Sequence, residues 1–152
     1  MKNLVAYVLA SGALLSGAVW AADAPSPQDI ANGREKAMKQ LGGDVKAAFN
    51  PATSQTDAKA KLADAIKIAE SIPSLFPKGT GIGDPGMTDT RALPDIWKKP
   101  AEFKAAADAL VAALKSADAA FGGEREKFEA TGAAIGNACG GCHKPFRGPE
   151  KE

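Results

Sequence analysis

Cys139-Gly140-Gly141-Cys142-His143 is a C-x-x-C-H stretch, the spacing of covalent c-type haem attachment. Two thiols can add to the two vinyl groups of one haem. A histidine beside the second thiol can then reach the iron from one face as the proximal ligand. On a helix the three positions are i, i+3 and i+4, so their side chains share a face. The surrounding residues predict that helix over about 124–146. Phe128, Thr131, Ile135, Ala138, Cys139, Cys142 and Phe146 recur at helical spacing, and Gly148-Pro149 ends the pattern. The motif therefore continues the core face of a last helix.

Working outward, three further amphipathic helices precede it. Ser26-Pro27-Gln28-Asp29 is a helix start, with Ser26 as cap, proline at the first helical position and an acid at the positive end of the dipole. Ile30, Arg34, Ala37, Met38, Leu41, Val45 and Phe49 follow at helical spacing; Gly42-Gly43 weakens the helix and predicts a bend, and Asn50-Pro51 ends it. A second helix is expected over about 57–72, striped by Ala58, Leu62, Ala65, Ile66, Ala69 and Ile72 and stopped by Pro73. A third is expected over about 101–120, with Phe103, Ala107, Leu110, Leu114, Ala117 and Phe121 in line and Gly122-Gly123 as its turn. Between the second and third lies a long Gly- and Pro-rich segment, about 73–100. Leu75, Phe76, Ile82, Leu93, Ile96 and Trp97 make it too apolar for a free linker, so it is expected to pack, with a haem edge as one candidate surface. The fold class is all-α: an antiparallel four-helix bundle with one long loop between helices 2 and 3, whose cofactor site lies between facing helices.

The chain has 152 residues, enough for one domain with a core. Residues 1–21 have the build of a cleaved signal peptide: Lys2, an apolar run from Leu4 to Trp20, and a cut after Ala21 or Ala22. An N-terminal membrane anchor is the competing reading. Cleavage leaves 22–152 as the helical domain, removes one lysine from 19 basic residues and leaves 18 against 18 acidic. A neutral chain of this kind argues against a nucleic-acid partner, an electrostatic membrane partner and stable membrane insertion after cleavage. Export predicts a periplasmic location.

Other uses of the motif are weaker. A dithiol redox pair would want a βαβ context. A zinc site lacks a fourth protein ligand, because His143 is the only histidine and the chain has no third cysteine. Arg34 and Met38 form a second constellation, i and i+4 on the buried stripe of the first helix. A buried arginine needs a partner. An ordinary ion pair would serve, and a haem propionate would serve better if the haem lies against this face, with Met38 then over the iron.

These residues carry a resemblance to the class II c-type cytochromes, the cytochrome c prime family. The matching stretches are Arg34-x-x-x-Met38-Lys39, then Leu75-Phe76-Pro77-x-Gly79-Thr80-Gly81 with Thr90-Arg91-Ala92-x-Pro94-x-Ile96-Trp97, and Gly136-x-x-Cys139-x-x-Cys142-His143-Lys144-x-Phe146-Arg147. The resemblance implies one haem c held by Cys139 and Cys142, iron ligated by His143, a propionate at Arg34 and Arg147 near the proximal face. It leaves Met38 with two roles: a sixth ligand, as in the low-spin relatives, or an apolar lid over five-coordinate iron. It implies a carrier of single electrons between redox partner proteins, or alternatively a high-spin protein that binds NO or CO for scavenging or sensing. Members of the family often form homodimers through the first two helices. Nothing beyond the iron offers an acid, base or nucleophile constellation, so no enzyme activity is expected.

Overall fold

The computed structural model describes residues 24–150; the signal-peptide reading of 1–21 lies outside them. Four long helices, α1 (Pro27–Ala48), α2 (Gln55–Ser71), α4 (Pro100–Ala120) and α5 (Arg125–Phe146), form an antiparallel bundle. The long connection contributes a 3-10 turn (Ile72–Leu75) and the one-turn helix α3 (Asp95–Lys98), two short elements that the periodicity does not predict. Among the described residues there is no strand, only an isolated antiparallel bridge between Ala92 and Arg147.

Local chemistry sets the helix ends. The Asp29 N–H donates to Ser26 Oγ at 3.1 Å, and the Ser26 N–H donates back to the Asp29 carboxylate at 3.2 Å, a reciprocal cap on α1. The bend expected at Gly42-Gly43 does not break α1, which runs on to Ala48. Helix α2 starts earlier than expected, at Gln55, because Ser54 caps it: the Asp57 N–H donates to Ser54 Oγ at 3.1 Å.

Packing runs from α1 to α2, from α2 to α4 and from α4 to α5. The alanines Ala65, Ala69, Ala107 and Ala117 are buried and let α2 and α4 approach closely around the fully buried Leu62 and Leu114. The fourth side is open. No Cα of α1 comes within 8 Å of any Cα of α5, whereas directly packed helices have their axes only about 8–10 Å apart.

Aromatic clusters close both ends of the bundle. At one end Phe49 stacks on Phe128 at 4.4 Å, and Phe121 meets Phe128 edge-on at 5.3 Å. At the other, Phe103 takes Phe76 edge-on at 4.9 Å and Phe146 at 5.3 Å, joining the long connection to α4 and α5. The expected packing of the connection is thus observed on the bundle end. There Trp97 Nε1 donates to the Phe76 carbonyl at 3.0 Å, and the indole ring lies directly on Gly81. A methyl group at Gly81 would stand 2.7 Å from Trp97 Cη2 and closer still to Cζ3. We therefore expect Gly81→Ala to destabilise the protein by about 1–3 kcal/mol, read as a lower midpoint in chemical unfolding with the helix content of the folded form unchanged.

Candidate haem site

Cys139, Cys142 and His143 lie half-buried on one face of α5, next to the buried Ile135 and Phe146. Both thiols are free, and their side chains pack against the bundle core. Burial pushes both thiols up from their ordinary pKa, and Cys139 adds to the shift at Cys142. Burial first, then the charges of Arg147 and Arg91, pushes the His143 imidazole down. At neutral pH the face thus carries two protonated thiols and one neutral imidazole with a lone pair. The imidazole makes no hydrogen bond among the described residues.

The face borders the open side of the bundle, and the register there follows from one contact. A methyl group at Gly132 of α5 would lie 3.4 Å from the ring of Phe49, which caps α1, so this line of α5 faces α1. One turn further on, a methyl group at Gly136 would meet nothing within 4 Å. His143 stands eleven residues beyond Gly132 on α5, and Met38 eleven residues before Phe49 on α1. Because the helices are antiparallel, both lie about 16 Å from that contact, at the same level on opposite walls. Met38 is half-buried and packs against the core. Between the walls is a slot that no side chain fills at Gly136. The donor set and the slot fit a flat group held by two thioethers and one imidazole. They do not fit a zinc ion: among the described residues no three His, Cys, Asp or Glu side chains are grouped to hold a metal.

Arg34 is buried, one turn before Met38, but its terminal nitrogens are turned to the long connection. Nη1 donates to Thr80 Oγ1 at 3.0 Å and to the Leu75 carbonyl at 3.3 Å; Nη2 donates to the Thr80 carbonyl at 3.0 Å and to Thr90 Oγ1 at 2.8 Å. The guanidinium also lies over the Phe76 ring at 4.4 Å. No carboxylate of the described residues pairs with it, so the ordinary ion pair is not formed. Burial lowers its pKa. Arg147 is exposed, and Met87 lies on the connection, its N–H donating to the Asp84 carbonyl at 3.2 Å.

Thr80 and Thr90 lie in the stretches that carry the family resemblance, but nothing in the sequence marked them as partners of Arg34, since no periodicity marks loop hydroxyls. Gln28 was also missed. Its side-chain oxygen accepts from the Thr88 and Asp89 N–H groups, each at 2.9 Å, and its amide donates to the Asp89 carbonyl at 2.8 Å. Asp44 is buried and takes Lys61 at 2.8 Å, fastening α1 to α2; its place three residues after Leu41, on the core side of the helix, was the readable signal.

The family model described as Cytochrome C' matches residues 29–147. The chain belongs to the cytochrome c' family. It is 37% identical over 127 residues to the cytochrome c' of Pararhodospirillum photometricum, covering 80% of this chain and 98% of that relative. It is 30% identical over 152 residues to the cytochrome c-556 of Agrobacterium fabrum, covering 97% and 95%. The solved cytochrome c' of Rubrivivax gelatinosus superimposes with a TM-score of 0.66 at 29% identity, over 80% of this chain and 96% of that one. Cytochromes of this family bind a single covalently attached haem c, the cofactor of this chain. Filling the slot of this cytochrome c' should therefore separate folding from haem uptake. Gly136→Leu improves helix propensity by roughly 0.5–1 kcal/mol. We expect helical circular dichroism to be retained, while the haem-to-protein ratio of the purified chain falls severalfold.

Proposed function

We propose that this cytochrome c' is a periplasmic carrier of single electrons, exported by cleavage after Ala21 or Ala22. In this reading Cys139 and Cys142 hold the haem through two thioethers, and His143 binds the iron on one face. The observation that carries it is the placement of these three side chains on the wall of an open slot, with Met38 at the level of His143 on the opposite wall. Haem iron supplies a one-electron Fe(III)/Fe(II) couple whose potential depends on axial ligand, burial and neighbouring charge. Burial holds His143 toward its neutral form and no described residue hydrogen-bonds its ring, so it can offer its lone pair. Met38 offers a thioether sulfur as sixth ligand. Arg34, a buried cation with no carboxylate partner among the described residues, favours an anionic propionate nearby. Its loop contacts leave only Nε–H for a direct bond.

One feature supports a second reading. The slot wall opposite His143 is apolar at Met38, and if the sulfur only covers the iron, the sixth position admits small uncharged ligands such as NO and CO. This is the gas-binding role, for scavenging or sensing.

Absorption spectra of the protein matured with haem in a periplasm distinguish the two. For the electron carrier we expect sharp, split ferrous bands, a far-red ferric band from sulfur ligation and no response to CO. Met38→Leu should then give a broad ferrous band and a large CO response. A broad band and a CO response in the unsubstituted protein would sink the carrier reading in favour of the gas-binding one. The attachment is checked separately: Cys139→Ala combined with Cys142→Ala should leave haem extractable by acid acetone, and haem retained covalently in that variant would refute the assignment of the thiols.

A further inference from the structure

Helix α1 has no direct packing against α5 along the slot, yet Met38 and His143 must keep a fixed relation across it. Four consecutive residues, 90–93, bridge the two helices at the haem end. On the α1 side, Thr90 Oγ1 accepts from Arg34 Nη2 at 2.8 Å. On the α5 side, the next residues pair with the end of the helix and the chain just past it. The Leu93 N–H donates to the Phe146 carbonyl at 3.0 Å, and the Gly148 N–H to the Arg91 carbonyl at 2.7 Å. Arg91 Nε donates to the Gly148 carbonyl at 2.8 Å. The route from Arg34 to Phe146 thus crosses one hydrogen bond, a stretch of extended backbone and a second hydrogen bond.

We propose that residues 90–93 are a tie across the open side of the bundle, and that Arg34 and Thr90 are positioning residues that fix Met38 relative to the iron. This rests on the haem reading above. Helix α1 packs on α2 and touches the 3-10 turn, but nothing on its α5 side opposes a roll about its long axis between Phe49 and the haem end. Arg34 stops the roll, because its rigid fork is held at four N–H groups by atoms of the connection. Met38 lies one turn away, so any roll of α1 would carry its side chain toward or away from the iron. Gln28 adds a second anchor to the same connection at the first turn of α1. Thr80 completes the seat: its hydroxyl donates to the Pro77 carbonyl at 2.8 Å, so its oxygen is oriented to receive Arg34.

The test compares Thr90→Val, which keeps the shape and loses the hydroxyl, with Thr90→Ser, which keeps the hydroxyl. Both are read in the haem-loaded protein by the ferrous spectrum and the rate of CO association. Where Met38 ligates the iron and the unsubstituted protein does not respond to CO, the loosened Met38 of Thr90→Val should open a measurable rate. Thr90→Val loses the part-buried bond from Arg34 and the bonds of the same hydroxyl to the Thr80 carbonyl and from the Ala92 N–H; this should change the rate at least about threefold, with Thr90→Ser restoring it. Arg91→Lys, at the other end of the tie and with its charge kept, should shift the rate in the same direction. Its effect should be the smaller of the two, since the two backbone bonds at that end remain. An unchanged rate and spectrum in Thr90→Val, even with a lowered melting temperature, would reduce Thr90 to a structural residue and overturn the proposal. So would failure of Thr90→Ser to restore the rate. A wild-type chain that takes up no covalent haem would instead refute the underlying haem reading, and the two failures are told apart before any variant is made.

Discussion

A guanidinium taken out of water without a counter-ion is among the costlier things a fold can contain. In this cytochrome c' that group is Arg34, and its solution dictates the haem end of the molecule. Neutral oxygens from Leu75, Thr80 and Thr90 meet the four terminal N–H groups, and the Phe76 ring covers the plane. These atoms come from both limbs of the long connection, so the connection has to fold back over α1. Once it does, Phe76 is set against Phe103 and Trp97 is set on Gly81. Residues 91–93 are then placed to meet the end of α5.

The open side of the bundle follows from the same arrangement. Helices α2 and α4, close-packed through alanines, form the spine, with α1 and α5 attached to opposite members. Left alone, two amphipathic helices with facing apolar stripes would close on each other. They are kept apart by the stacked Phe49 and Phe128 at one end and by the connection at the other. Glycine at 136 leaves the wall between these props bare. A flat hydrophobic cofactor lying there would bury its own apolar area against the half-buried Met38, Cys139 and Cys142.

Much of this was legible in the residues. The helix stripes marked four elements to within one or two residues, and C-x-x-C-H at i, i+3, i+4 was readable as lying on the inner face of α5 because it continues that helix's stripe. Ser54-x-x-Asp57 was a readable cap that was passed over, which is why α2 begins before its expected start. The one-turn elements at Ile72–Leu75 and Asp95–Lys98 are too short to show a period. The receptor for Arg34 was unreadable for a deeper reason. Its partners lie 41 to 56 residues away in sequence, and their hydroxyls and carbonyls become a site only after the chain has turned back. A burial pattern shows that an arginine needs partners; it does not show which ones.

The pairing between the long connection and the chain just past α5 joins parts of the chain that lie far apart in sequence. Arg91 and Gly148 are separated by 57 residues, and Lys59 of α2 and Asp118 of α4 by 59, whereas α1 on α2 and α4 on α5 pair neighbouring helices. The long spans carry the larger loop-closure cost. Cys139, Cys142 and His143 stand on α5, a member of one of the two cheaply closed pairs, so the face they share needs no long-range contact to be built.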